Sequence, residues 1–233
     1  MLEICDLHSY YGEAHVLQGV SLTVAPAEIV ALLGRNGMGK TTTIRSIMNL
    51  RQPIVREGEV KFGGERLNGL PPHSIAKRKI ALVPQGRRLF PSLTVIEHLT
   101  MFKPASARSG WTAERVFDTF PRLGERRQHR ASQLSGGERQ MLAVSRALMI
   151  DPRLILMDEP SEGLAPVMVQ QLEKVIAALK AEGIGVLLVE QNLYSALALA
   201  DRVYLMEAGR IVHHSPAGDL HAGAAVLERY LGI

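Results

Sequence analysis

The stretch GRNGMGKTT (Gly34–Thr42) fits G-x-x-x-x-G-K-[ST], with Gly34, Gly39, Lys40 and Thr41 on the fixed positions. The apolar run EIVALL (Glu28–Leu33) leads into it, and TTTIRSIMNL follows, with Ile44, Ile47, Met48 and Leu50 as its apolar positions. Strand, glycine loop and helix in that order make a phosphate cradle. Gly34, Gly37 and Gly39 allow backbone conformations closed to other residues and let the chain come close to phosphates. Successive N–H groups and the positive end of the helix dipole then favour an anion. The pattern predicts a nucleoside triphosphate site in which Lys40 reaches the β- and γ-phosphates and the Thr41 hydroxyl ligates Mg2+. Arg35, Asn36 and Met38 contribute backbone, and Thr42 continues the cradle into the helix.

A triphosphate site alone leaves kinases, GTPases, helicases and transport ATPases open. LSGGERQ (Leu134–Gln140) narrows the field. It precedes MLAVSRALMI, a helical pattern ending at Asp151-Pro152, and then LILMDEP (Leu154–Pro160), a short apolar strand that delivers Asp158 and Glu159. On these motifs the sequence resembles an ABC-type ATP-binding cassette over essentially its whole length. The resemblance implies an α/β fold: a P-loop NTPase with a largely parallel central sheet, an antiparallel β subdomain and a helical subdomain. It also implies ATP and Mg2+ as ligands. Ser135, Gly136 and Gly137 open a helix and offer a second anion site, which in the family caps ATP held by a partner cassette packed head to tail. Asp158 is expected to hold Mg2+, and Glu159 to orient and deprotonate the attacking water.

Three further positions follow from the resemblance. Tyr11 in HSYYGEAHVL aligns with the aromatic residue that stacks on adenine, with Tyr10 as the neighbouring candidate. Gln85 in ALVPQGRRLF matches the glutamine that contacts Mg2+ and senses the transporter. Gln191 in VLLVEQN (Val186–Asn192) stands where most cassettes have a switch histidine. A glutamine there still donates a hydrogen bond to a γ-phosphate oxygen, but it carries no charge and does not titrate. The loop after the glutamate, SEGLAP (Ser161–Pro166), has Ala165 where many cassettes have Asp. It also has Glu162 where a small or apolar residue is usual.

These features, together with VPQGRRLFPSLTV and ADRVYLMEAGRIV, are similar to the smaller ATPase of branched-chain amino acid importers. Relatives in that group move urea, short amides or other small polar compounds. The partners implied are transmembrane permease subunits, a second ATP-binding cassette (a companion subunit or another copy) and, indirectly, a periplasmic or extracellular solute-binding protein. The implied location is peripheral, on the cytoplasmic face of the inner membrane.

Composition fits that reading. The chain has 233 residues, a net charge of +4 and an aromatic content of 5%. Its basic residues are scattered, with short clusters at Lys77-Arg78-Lys79 and Arg126-Arg127, so a solvated surface is expected and no nucleic-acid partner. GIGVLLV is too short to cross a bilayer, and MLEICDLHSY has no leader pattern. The single Cys5 excludes an internal disulfide and fits a reducing compartment, as a strand residue. The eight histidines show no metal spacing, and His213-His214 reads as a surface pair on an edge strand.

No linker or repeat divides the chain, which is read as one nucleotide-binding domain over residues 1–233. LQGVSLTV and GEVKFGG alternate as antiparallel strands. The helical subdomain is expected from Arg87 to about Arg130, reaching about residue 150 with the helix after the signature. VMVQQLEKVIAALK reads as a helix with Met168, Leu172, Val175, Ile176 and Leu179 on one face and Pro166 in its first turn. Strands near Leu82, Leu154 and Leu187, with helices between, argue a parallel sheet with ligands at the strand ends. ABC ATPases of DNA repair or translation resemble this motif set but need a coiled-coil insertion or fused cassettes. A GTPase would need N-K-x-D. None of these is present.

Overall fold

The structure is a computed structural model that describes residues 1–101 and 110–221. In chain order its strands are β1 (Leu2–Tyr11), β2 (Ala14–Val24), β3 (Ile29–Leu33), β4 (Ile54–Phe62), β5 (Glu65–Arg66), β6 (Ile80–Val83), β7 (Leu154–Asp158), β8 (Gly185–Glu190), β9 (Arg202–Glu207) and β10 (Arg210–Pro216). The helices are α1 (Lys40–Ile47), α2 (Pro72–Lys77), α3 (Val95–Thr100), α4 (Ala113–Thr119), α5 (Pro121–Glu125), α6 (Gly136–Leu148), α7 (Pro166–Ala181), α8 (Leu193–Leu199) and α9 (Ala217–His221).

Two sheets result. The larger runs β10-β9-β3-β8-β7-β6, parallel except for the antiparallel β9–β10 hairpin at one edge. The smaller, β2-β1-β4-β5, is antiparallel throughout. The apolar runs explain the placement. β3, β7 and β8 are buried along their whole length, as central strands of a sheet covered on both faces must be. β1 alternates buried and open positions near its start and lies in the half-solvated sheet.

Side-chain alternation divides the core. Ala81, Val83, Ile155, Met157, Val186 and Leu188 face a cluster with Leu142, Leu172, Ile176 and Leu179 of α6 and α7. Their neighbours Ile80, Leu154, Leu156, Leu187 and Val189 face the opposite way, onto Ile44 and Ile47 of α1 and Leu2, Leu22 and Val60 of the antiparallel sheet. One-residue alternation along each strand thus fills both faces. Helix α7 buries Leu172, Val175, Ile176 and Leu179, with Met168 half-buried and Pro166 at its first turn. Within the segment assigned to the helical subdomain, helices start at Val95 and end with α6. Residues 102–109 of that segment lie outside the described part. Val95, Trp111, Val116 and Phe120 there share one buried cluster with Ile155 and Val186 of the sheet.

Parallel pairing brings the ends of β3, β6, β7 and β8 to one edge. Leu33 lies opposite Glu190, Asp158 opposite Val189, and Val83 opposite Met157. Four loops therefore converge beyond the carboxyl ends of the strands, where open α/β sheets bind ligands. His213 and His214 lie on edge strand β10, with the His214 ring stacked on Tyr204. Cys5 is an exposed residue of β1. Among the described residues, no helix is long and apolar enough to cross a membrane.

Candidate functional site

The loop between β3 and α1 is held in shape from outside. Gly209, in the β9–β10 turn, donates its N–H to the Met38 carbonyl at 2.9 Å, and its own carbonyl accepts from Gln18 N–H at 2.9 Å. Each glycine has its reason. Gly37 and Gly39 sit at φ of 80° and 110°, in the left-handed region. At Gly34 a Cβ would lie 2.4 Å from the Met206 carbonyl oxygen. The loop ends on Gly39 as the N-cap of α1.

Lys40 is 4% exposed. Its ammonium donates to the carbonyls of Gly34 at 2.7 Å and Arg35 at 3.1 Å, and lies 3.2 Å from Glu159 Oε1. One helical position on, Thr41 Oγ1 donates to Asp158 Oδ1 at 2.9 Å. Asp158 ends β7 and is almost fully buried. Burial pushes its carboxyl above the usual range and the Glu159 charge adds to this, while the Thr41 hydrogen bond pulls the other way. Glu159 sits at φ 48°, a left-handed conformation that costs a side-chain-bearing residue about 1–3 kcal/mol. Its N–H donates to the Val189 carbonyl at 2.9 Å, which anchors the turn to β8.

Gln85, two residues past β6, donates from Nε2 to Glu159 Oε2 and to Glu162 Oε2, both at 3.1 Å. A cavity of about 290 Å³ opens between these groups. Gly37, Gly39, Lys40 and Thr41 line it from the glycine loop, with Asn36 and Thr42; Gln85, Glu159 and Glu162 line it from the other loops. The oxygens of Thr41, Asp158 and Gln85 are hard donors. They suit Mg2+, which is ordinarily held by one or two carboxylates together with substrate phosphates and water. Loop N–H groups, one ammonium and this donor set suit a triphosphate carrying that ion.

Other sequence-predicted residues lie apart from this cavity. Gln191 follows β8, is exposed, and lines a neighbouring cavity of about 330 Å³ with Glu159, Ser161, Glu162, Glu190 and Asn192. Tyr11 is half-buried at the end of β1, where its hydroxyl accepts from Arg45 of α1 at 3.4 Å. The Tyr10 ring is stacked on His15 at 4.3 Å, with the Arg56 guanidinium 4.3 Å from its centroid. Of the two tyrosines, Tyr11 is therefore the one without a stacking partner among the described rings. Ser135 caps α6 by accepting from Glu138 N–H at 3.3 Å, and Glu138 returns the bond to Ser135 N–H at 2.7 Å. Ser135 is exposed, with Gly136 and Gly137 half-exposed behind it, and none of the three lines the cavity.

Sequence reasoning assigned no role to three residues at the site. Glu162 joins Gln85. Arg87 donates to Gln140 Oε1 of α6 at 3.3 Å and to the Glu162 carbonyl at 3.5 Å. Glu190 accepts from Ser161 N–H at 3.1 Å and Gln191 N–H at 3.3 Å, and burial raises its carboxyl above the ordinary value. The only signal for any of them was a glutamate in an unusual place at position 162.

Comparison with known proteins bears on the family of the whole chain. A family model described as ABC transporter matches residues 17–162. The chain is 44% identical over 234 residues to the high-affinity branched-chain amino acid transport ATP-binding protein BraG of Pseudomonas aeruginosa, with 100% of both chains covered. It is 35% identical to the lipopolysaccharide export system ATP-binding protein LptB of Haemophilus influenzae, over 97% of this chain and 95% of that one. A dimeric post-hydrolysis structure of the ATP-binding cassette MJ0796 with ADP and Pi is 25% identical, with a TM-score of 0.80, covering 93% of this chain and 99% of that chain.

Proposed function

Since this chain belongs to the ABC transporter family of ATP-binding cassettes, we propose that it is the ATP-hydrolysing subunit of an importer for branched-chain or related amino acids. The observation that carries the solute class is the full-length 44% identity to BraG. What supports the chemistry is the convergence of glycine loop, Lys40 and Glu159 on one cavity, with Asp158 hydrogen-bonded to Thr41 at its wall.

The residues divide the work. Gly37, Gly39 and Lys40 bind the phosphates, with Arg35, Asn36, Met38 and Thr42 completing the loop, and Tyr11 stacks on the base. Thr41, Asp158 and Gln85 hold Mg2+, which when bound neutralises phosphate charge. Glu159 leaves Lys40 to the phosphates, accepts the proton of the attacking water and directs it in line. Gln191 donates a hydrogen bond toward the γ-phosphate. Phosphoryl transfer is mostly positioning and charge stabilisation, which such an arrangement supplies.

The exposed Ser135–Gly137 end of α6 is set to cap ATP bound by a second cassette, a companion subunit or another copy of this chain. Transmembrane permease subunits supply the membrane span, and an external solute-binding protein delivers the solute. The subunit then works peripherally, at the cytoplasmic face of the membrane.

Uptake of labelled leucine by cells lacking this chain tests the proposal. Wild type is expected to restore uptake and Glu159→Gln to fail. If leucine uptake never depends on the chain, the amino-acid assignment falls and the ATPase assignment stands, with urea and short amides the next solutes to try.

A further inference from the structure

Glu162 has a geometry that its position in the chain does not explain. A glutamine amide offers two hydrogens on nitrogen and two lone pairs on oxygen. In Gln85 the nitrogen lies 3.1 Å from one oxygen of Glu159 and 3.1 Å from one oxygen of Glu162, so each hydrogen meets a carboxylate. The reverse orientation would set the amide oxygen against two carboxylate oxygens and is electrostatically excluded. The acidic pair thus decides which end of the amide faces it. The carbonyl oxygen is left as the atom with which Gln85 can ligate a hard cation.

The two anchors are not equivalent. Glu159 also pairs with Lys40 and, in the proposed hydrolysis, leaves that ammonium to the phosphates and turns to the attacking water. Glu162 pairs with no cation among the described side chains, and its backbone is tied at both ends of the residue. Its N–H donates to the Glu159 carbonyl at 3.2 Å, and its carbonyl accepts from Arg87, two residues beyond Gln85. When Glu159 turns away, Glu162 remains on the amide.

We propose that Glu162 is a positioning residue for Gln85, fixing the amide by its nitrogen so that its oxygen serves the divalent cation that accompanies ATP. The inference rests on the Mg2+–ATP reading of the cavity. Partners that orient a metal ligand from behind ordinarily contribute about 10- to 100-fold in metal affinity.

The test uses the full chain with a non-hydrolysable ATP analogue and Mn2+ as the probe, free and bound Mn2+ being separated by electron paramagnetic resonance. Glu162→Leu is expected to weaken Mn2+ binding about tenfold, while analogue affinity in the absence of divalent cation does not fall. Glu162→Gln keeps an acceptor oxygen for the Gln85 amide and is expected to restore Mn2+ binding to near the wild-type level. The inference is overturned if Glu162→Leu leaves Mn2+ affinity unchanged. It is equally overturned if Glu162→Gln loses as much as Glu162→Leu, since bare charge would then be the cause. Wild type that binds the analogue with no Mn2+ at all removes the parent reading and this one together.

Discussion

The contact between Lys40 and Glu159 makes Glu159→Gln more than a test of catalysis. The ammonium and carboxylate lie 3.2 Å apart, with side chains 3% and 10% exposed. At an effective dielectric of about 20, unit charges at that separation attract by about 5 kcal/mol. An incoming triphosphate must break this pair and then makes its own with Lys40, so most of the attraction is exchanged and not lost. The carboxylate left behind also faces the phosphates. We expect a residue of about 1–2 kcal/mol, so that Glu159→Gln binds ATP about tenfold more tightly than wild type. Hydrolysis by the same variant is expected to fall about a hundred- to ten-thousandfold, the usual contribution of a positioned base. Calorimetric titration with ATP reads the first effect and phosphate release the second. Because the pair is buried, the affinity gain is expected to persist at high salt, where exposed pairs are screened. Equal ATP affinity in variant and wild type would refute the competition, and undiminished hydrolysis would falsify the assignment of the base.

Two further outcomes concern the frame around the site. Gly34→Ala places a methyl group 2.4 Å from the Met206 carbonyl oxygen, so either β9 or the glycine loop must shift. A loss of about 1–3 kcal/mol in urea unfolding is expected, with weaker ATP binding; wild-type values for both would show that the close approach imposes nothing. The second concerns His98, fully buried, whose Nε2 accepts from Phe90 N–H at 3.0 Å and whose Nδ1 donates to the Thr94 carbonyl at 2.8 Å. Burial lowers its pKa below the ordinary 6.5, partly opposed by the Thr94 bond. The unfolded chain therefore binds the proton first, and stability is expected to decline as pH falls from 6.5 toward the depressed folded value. Denaturant unfolding at about pH 7.5 and about 5.5 checks this; His98→Gln is expected to flatten the difference, and an unaltered slope would place the effect elsewhere.

Much of this molecule is legible in its sequence because its signals are local. The glycine loop, the capping box at Ser135 and Glu138, the apolar strands before Asp158 and Gln191, and the α7 stripe each lie within a dozen or so consecutive residues. Periodicity or backbone need therefore betrays them. The parallel sheet follows from short apolar runs alternating with helices. What escapes is whatever depends on strand order. That β8 lies between β3 and β7 brings Glu190 beside Ser161, and that β6 flanks β7 brings Gln85 to Glu159 and Glu162. Those pairs are separated by 29, 74 and 77 positions, and no pattern in the chain marks them. The engagement of Tyr10 by His15 and Arg56 was likewise invisible, since it depends on how β1, β2 and β4 align.

The turn at Gly209 has a consequence for how readily nucleotide is accepted. Fixing one free residue into a single backbone conformation costs about 1–2 kcal/mol. A glycine-rich segment from Gly34 to Gly39 would ordinarily face that entropic charge for each residue on meeting its ligand. Here the Met38 carbonyl is already bonded to the Gly209 N–H, and Gly209 in turn to β2 through Gln18, so the ordering occurs during folding. That bond fixes the loop at Met38 independently of any phosphate.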